Sequence, residues 1–290
     1  MIELDPIILG DNQFFGINHM SQVKAQQLAE RFNDMRSIYD AYRTAYDLGI
    51  RAFMLNSNDK AGEICDYFRA HRSEFPELML YPSIPYPHKY ANLVAEQGIV
   101  GAIQAVLSGH SATDLLGFAG KGLSLLTGDV ARIMTMLIDV ELKIYRKLDF
   151  KVVYLQNIVT DLLLGLGFKD VFVEYCAHLE KKYHAVPGFL TMNVPRLAAY
   201  LESCGIQNAV LCGSVNKRGY LMSPDVASYE AYFRGMQRYP MTAMSIFASG
   251  AIPASEAVDY IVKQGIKSIV FGASSRQHMQ ATLELVKGHA

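Results

Sequence analysis

Short apolar runs alternate along this chain with longer stretches whose apolar residues recur every three or four positions. The first kind of run suits a strand buried on both faces, the second an amphipathic helix. Residues 6–10 (Pro-Ile-Ile-Leu-Gly) predict a first strand, with helical spacing over 21–48 behind it. Residues 50–55 predict a second strand with its helix at 61–71, and residues 78–84 a third. A fourth at 152–155 precedes helical 171–183, and a fifth at 188–192 precedes helical 195–204. Residues 209–212, 242–247 and 267–271 predict the sixth to eighth. Strands alternating with helices over 290 residues predict one α/β domain, 1–290, folded as a (β/α)8 TIM barrel.

One connection is too long for a single helix. Residues 85–149, between the third and fourth strands, carry helical patterns at 90–107 and 129–147 around a glycine-rich stretch at 109–122. A βα excursion lies at the C-terminal ends of the strands, where it can serve as a lid over a pocket. A helical hairpin that widens the helix ring, or makes a dimer contact and so a homo-oligomer, suits the pattern equally.

Two segments near the C-terminus break at small residues and then enter helices: Ser245-Ile-Phe-Ala-Ser-Gly-Ala-Ile252 and Ser268-Ile-Val-Phe-Gly-Ala-Ser-Ser275. After the last two strands of a barrel, glycines and open N–H groups at a helix start suit a phosphate. The candidate donors are Ser249, Gly250, Gly272, Ala273, Ser274, Ser275 and Arg276. The plainer reading is a pair of tight turns with helix caps.

Composition narrows the ligand. Hydrophobic residues are 51% and charged ones 19%, enough for a large core, and the formal net charge of −1 points away from nucleic acid and anionic membrane. The four cysteines are scattered, without metal-ligand spacing, as in a reduced interior. Met1-Ile-Glu-Leu-Asp-Pro6 lacks a basic, then apolar, leader, and no apolar run reaches the roughly 18 residues of a membrane helix. These features predict a soluble cytoplasmic protein with a small-molecule ligand.

The predicted barrel mouth is rich in amides and hydroxyls, which hydrogen-bond polar, sugar-like or nucleotide-like ligands. Asp11, Asn12, Gln13, Asn18 and His19 follow the first strand, and Asn56, Ser57, Asn58 and Asp59 the second. Ser83, Tyr86 and His88 follow the third, Gln156 and Asn157 the fourth, Asn193 and Arg196 the fifth. Ser214, Asn216, Lys217 and Arg218 follow the sixth. His19, beside Asp11, is an acid–base candidate or a helix cap, and Asp59 a base or an N-cap. Asn157 joins them as a candidate in the catalytic group. Asp11, Asn12, Asn56, Tyr86, His88, Gln156, Asn193 and Asn216 are candidates to bind substrate. No metal site is expected. Lys151 falls at the N-terminal end of the fourth strand, which disfavours Schiff-base chemistry.

The order of several segments resembles the aldo-keto reductase superfamily across most of the chain. Ala45-Tyr-Asp-Leu-Gly-Ile-Arg-Ala-Phe53 is similar to that family's passage into the second strand. Gly188-Phe-Leu-Thr-Met-Asn193 is similar to its fifth strand, where a Ser-Asn pair holds a nicotinamide amide, with Met192 standing in place of the serine. Phe271-Gly-Ala-Ser-Ser-Arg-Gln-His278 is similar to its eighth-strand loop, which grips the adenosine phosphate. The resemblance implies the barrel, a phosphate-bearing ligand and, for an oxidoreductase, NADP. The family's Asp-Tyr-Lys-His tetrad is not recovered. Met54 stands near the aspartate position and Asn58 or Asp59 near the tyrosine. Pro82-Ser83 replaces the lysine and Gln156-Asn157 the histidine. The expectation is therefore an enzyme acting on a polar, phosphate-bearing small molecule, by a lyase or isomerase step more than by carbonyl reduction. An NADP-dependent oxidoreductase with a displaced catalytic group and a non-catalytic binding barrel are the alternatives.

Overall fold

The computed structural model describes residues 2–16, 22–86, 130–235 and 237–289. Eight parallel strands close into a barrel in sequence order: β1 Ile7–Leu9, β2 Ala52–Asn56, β3 Met79–Ile84, β4 Val152–Leu155, β5 Val186–Thr191, β6 Val210–Ser214, β7 Met241–Met244 and β8 Ser268–Phe271. Around it stand α1 Gln22–Arg31, α2 Met35–Asp47, α3 Ala61–Ala70, α4 Val130–Leu142 and α5 Asn157–Leu166. The ring continues with α6 Lys169–His178, α7 Val194–Ser203, α8 Val226–Arg234, α9 Ala254–Lys263 and α10 Arg276–Lys287. The barrel expected from the sequence is thus the observed fold. The expected helix at 90–107 and glycine-rich stretch at 109–122 lie outside the described residues.

Several boundaries differ from the expectation. The pattern over 21–48 is two helices, because Asp34 takes extended backbone and its side chain accepts from Ser37 N–H, starting α2 afresh. Helices α5 and α8 were not predicted. The seventh strand stops at Met244, since Ser245 has φ 53° and turns the chain out of the sheet.

Alternation along the strands sorts two cores. Ile8, Ala52, Met54, Tyr81, Val152, Tyr154, Leu190, Val210, Cys212 and Val270 fill the barrel interior. The intervening residues, such as Leu9, Phe53, Leu55, Leu80, Val153 and Phe189, pack outward against the helices. Gly188 is needed where it stands, because a Cβ there would overlap the ring of Tyr154 on the neighbouring strand. At the N-terminal end, Asp5 seals the barrel: its carboxylate accepts from Tyr81 and pairs with Lys151 at 2.8 Å, while its carbonyl accepts from Ser268 at 2.7 Å. The opposite end is where the side chains become polar.

Candidate active site

Carrying the inward alternation one step beyond the apolar layer places Gly10, Asn56, Ser83, Gln156, Ser214, Met244 and Gly272 at the C-terminal mouth. The glycines at the ends of β1 and β8 leave room that Gln13 occupies. Its amide donates to the Gly10 carbonyl at 2.6 Å, while its Oε1 is buried beside Gly272 without a hydrogen-bond partner among the described residues. Ser214 Oγ is likewise buried and unpartnered among them.

Asp11 is the centre of this mouth. It is only 2% exposed, and its oxygens accept from three donors. Asn56 gives its backbone N–H at 2.8 Å and its side-chain amide at 2.5 Å, and Asn58 gives its amide at 3.4 Å. Behind Asn56, the amide of Gln156 donates to Asn56 Oδ1 and, at 2.7 Å, to Ser83 Oγ. Sheet register makes this possible, because Asn56 lies opposite Ser83 on β3. The amide donors therefore run in one direction, from Gln156 through Asn56 to Asp11. Burial raises the Asp11 carboxyl to about 7, against the lowering effect of the Asn56 bonds. The carboxyl therefore exchanges its proton near neutrality.

A cavity of about 270 Å3 opens beside this centre. Phe14, Phe15, Phe32 and Tyr86 line it with aromatic rings, and Asn58, Asp59 and Lys60 contribute polar groups. Gly16, at φ 66°, ends the turn carrying Phe14 and Phe15 and passes so close to Ala29 that a Cβ would sit 2.8 Å from the alanine's own. That close approach brings helix α1 against the turn. Tyr86 is anchored by its N–H to Ser57 Oγ at 3.1 Å. Burial first, and then the negative charges of Asp11 and Asp59, push its hydroxyl above the ordinary tyrosine value. It stays protonated at neutral pH and can donate.

The structure thus gathers Asp11, Asn56 and Gln156 in one network, with Tyr86 and Asp59 on the adjoining cavity. His19 and His88 lie outside the described residues. Asp59 is exposed, and the turn before α3 is held instead by Asn58, whose Oδ1 accepts from Lys60 N–H. Asn12 is exposed on the turn after β1, and Asn157 is half-buried at the first position of α5. Asn193 caps α7 by accepting from Arg196 N–H. Asn216 is folded into its own loop: it accepts from Arg218 and Tyr220 N–H and donates to the Tyr220 and Ser245 carbonyls. Asp161 on α5 had no signal in the sequence, yet its carboxylate receives Thr191 Oγ1 at 2.5 Å and Met192 N–H at 3.0 Å and fixes the end of β5.

The two glycine–serine segments behave differently. After β7, the N–H groups of Ala248, Gly250, Ala251 and Ile252 are bonded within the loop, so Gly250 has none to offer. After β8, Ser275 caps α10 by accepting from His278 N–H. The N–H groups of Ala273, Ser274 and Arg276 have no partner among the described residues. The start of α10 thus presents open N–H groups. The residues standing for a nicotinamide-holding pair do not form one: Met192 brings no hydroxyl, and Asn193 Oδ1 is engaged as a cap. The structure accordingly supports no step through a nicotinamide. Among the described residues, no three His, Cys, Asp or Glu side chains gather as metal ligands, and no helix is long and apolar enough to cross a membrane.

No protein-family model matches the chain, and no curated protein matches it. Solved structures similar to it are aldo-keto reductases. A Pseudomonas aeruginosa protein described as one is 14% identical, with a TM-score of 0.60 over 98% of this chain and 90% of that one. An aldo-keto reductase of the silkworm Bombyx mori is 12% identical, with a TM-score of 0.57 over 100% and 84%. The aldose reductase of Schistosoma japonicum is 10% identical, with a TM-score of 0.54 over 99% and 88%. At such identities the likeness is one of fold: the chain has the barrel of the aldo-keto reductases, and its chemistry rests on its own side chains.

Proposed function

We propose that this aldo-keto-reductase-like barrel is an enzyme that moves a proton on a polar small molecule, in a lyase or isomerase step. The observation that carries the reading is Asp11, a buried carboxyl raised to about 7 at the mouth of the barrel. A general base works best with a proton affinity near the working pH. Tyr86, kept protonated, supplies the complementary acid, so the two groups divide the labour as paired titratable groups with separated affinities do. Asn56 and Asn58 hold Asp11, while the Ser83 hydroxyl and the Gln156 carbonyl orient the substrate's oxygens. A phosphate on that substrate is served by Ser274, Arg276 and the open N–H groups at the start of α10.

The test is deuterium wash-in. A panel of hydroxy-carbonyl compounds, with and without phosphate, is incubated with the protein in D2O and followed by proton NMR. Exchange at a carbon next to the carbonyl, lost by roughly 100-fold or more in Asp11→Asn, is the expected result. A second reading is NADP-dependent reduction, and the likeness of the fold to proteins described as reductases favours the reduction. Quenching of protein fluorescence by NADPH, with no deuterium exchange on any compound, would replace the first reading by the second.

A further inference from the structure

The geometry points to the outer face of α5 as a surface on which a second copy of this chain docks, forming a two-fold dimer. A helix on the outside of a barrel ordinarily turns its apolar side to the core and its polar side to solvent. Helix α5 is apolar on both sides. Leu163 and Leu164 are buried, and its only charged residue, Asp161, is turned inward, where its carboxylate accepts from Thr191 Oγ1 and Met192 N–H. Ile158, Leu162 and Leu166, four residues apart and so on one side of the helix, are 52%, 46% and 60% exposed. Phe168 and Val173 follow the turn at Gly167 and are exposed as well. Five of the seven large apolar side chains exposed among the described residues thus fall within residues 158–173. Scattered singly, such residues are ordinary; gathered, they mark an interface.

The chemistry of the face selects a copy of itself as the occupant. With Asp161 turned inward, no side chain from Asn157 to Phe168 presents a charge on it, so two copies meet without like-charge repulsion. A foreign partner is ordinarily steered and held in register by charges, and this face offers none. The ridge is also symmetric in size about its middle residue. On a two-fold axis through Leu162 the helices run antiparallel, Leu162 lies against Leu162, and Ile158 of one copy lies against Leu166 of the other. Antiparallel pairing sets the positive N-terminal end of each α5 beside the negative C-terminal end of its copy. Gly165, on the same side, has nothing within 4 Å of where a Cβ would stand, which leaves room for the second helix to come close. The five side chains expose on the order of 400 Å2 of apolar surface. Apolar atoms make up somewhat over half of an interface, so a dimer seated here buries roughly 700 Å2 per copy, near the roughly 800 Å2 of a stable one.

The test is sedimentation velocity of the full chain from about 1 to 100 μM, a range that brackets ordinary dimer affinities. The natural protein is expected at twice the chain mass of 32.3 kDa. Leu162→Glu and Leu162→Lys each set two like charges together on the axis. Each is expected to raise the dissociation constant by roughly 100-fold or more and leave monomer. Mixing the two variants in equal amounts sets Glu against Lys and is expected to restore the dimer, a rescue that only a contact of position 162 with itself gives. Ile158→Glu, at a second exposed site, is expected to weaken the dimer likewise, and circular dichroism checks that each variant is folded. A natural protein that stays at 32.3 kDa throughout, or a dimer that survives both Leu162→Glu and Ile158→Glu, overturns the proposal. A dimer lost in the single variants and not regained on mixing overturns the two-fold pairing through Leu162.

Discussion

Replacing Asp11 by asparagine should change how the stability of the protein depends on pH. In the unfolded chain this carboxyl titrates at its ordinary value of 3.8, and in the folded protein at about 7. Between those limits the folded state holds a proton that the unfolded state has released. The folded state binds more protons, so stability falls as pH rises through this window and is level on either side. The difference is about 3 pH units, and each unit is about 1.4 kcal/mol, so the whole effect is on the order of 4 kcal/mol. Asp11→Asn removes the titration. It also turns a donor toward Asn56 or Asn58, a cost of about 1–3 kcal/mol that does not vary with pH. Urea unfolding of both proteins, followed by circular dichroism at half-unit steps from about pH 4.5 to 8, separates the two effects. The stability of the natural protein minus that of the variant should fall by about 1.4 kcal/mol per unit near pH 5.5 and flatten above about 7.5. A difference that stays constant over the whole range would refute the raised proton affinity, and with it the assignment of Asp11 as the base.

Other consequences are simpler to test. Gly188→Ala pushes a methyl group into Tyr154 inside the barrel and should cost about 1–3 kcal/mol in urea unfolding, as overpacking does. Asp139 on α4 is buried. Burial alone would raise its carboxyl, but His178, Lys182 and Tyr183 all bond to it and together hold it below the usual range. Its contribution to stability is therefore present at neutral pH and lost as acid protonates it, and Asp139→Ala should cost about 3–5 kcal/mol at pH 7. Inorganic phosphate should raise the melting temperature of the protein by a saturable amount, and Arg276→Ala or Ser274→Ala should reduce that shift; an unchanged shift in both variants would remove the start of α10 as its site.

The strands were the legible part of the sequence because each is a short apolar run between polar residues. Val152–Leu155, with Lys151 before it and Gln156 after it, has the same limits in the pattern and in the structure. Helix α5 was not legible, since its apolar residues surround it: Leu163 and Leu164 are buried while Ile158, Leu162 and Leu166 are exposed, which erases the helical period. The overrun of the seventh strand has a different cause. Ile246 and Phe247 are apolar but belong to a turn, and a positive φ at a serine leaves no trace in sequence. For the site, alternation along β2, β3 and β4 was enough to bring Asn56, Ser83 and Gln156 to one mouth. The importance of Asp11 was not readable, because it depends on what lies around the carboxyl. Phe14 and Tyr42, from a turn and a helix distant in sequence, pack 4.9 Å apart in the same corner of the core.

The direction of the hydrogen bonds links the proton to the cavity. With Asp11 ionised, all three donors from Asn56 and Asn58 are satisfied at once. With Asp11 protonated, one of its oxygens carries the O–H, and the carboxyl becomes a weaker acceptor for all three donors. The Asn56 backbone N–H cannot turn without breaking the end of β2, and the Asn56 amide is held from behind by Gln156. Asn58 is the remaining donor and makes the longest bond, 3.4 Å. It is also the only one of these donors whose residue lines the cavity. Protonation of Asp11 should therefore weaken the Asn58 bond first, and the Asn58 side-chain amide resonance, followed by NMR from about pH 5 to 8, checks it; a resonance that does not move over that range would refute the link. The apolar layers below, built from Ala52, Met54, Tyr81 and Tyr154, hold the strands together without these groups, so a change confined to the Asp11 bonds should leave the barrel itself intact.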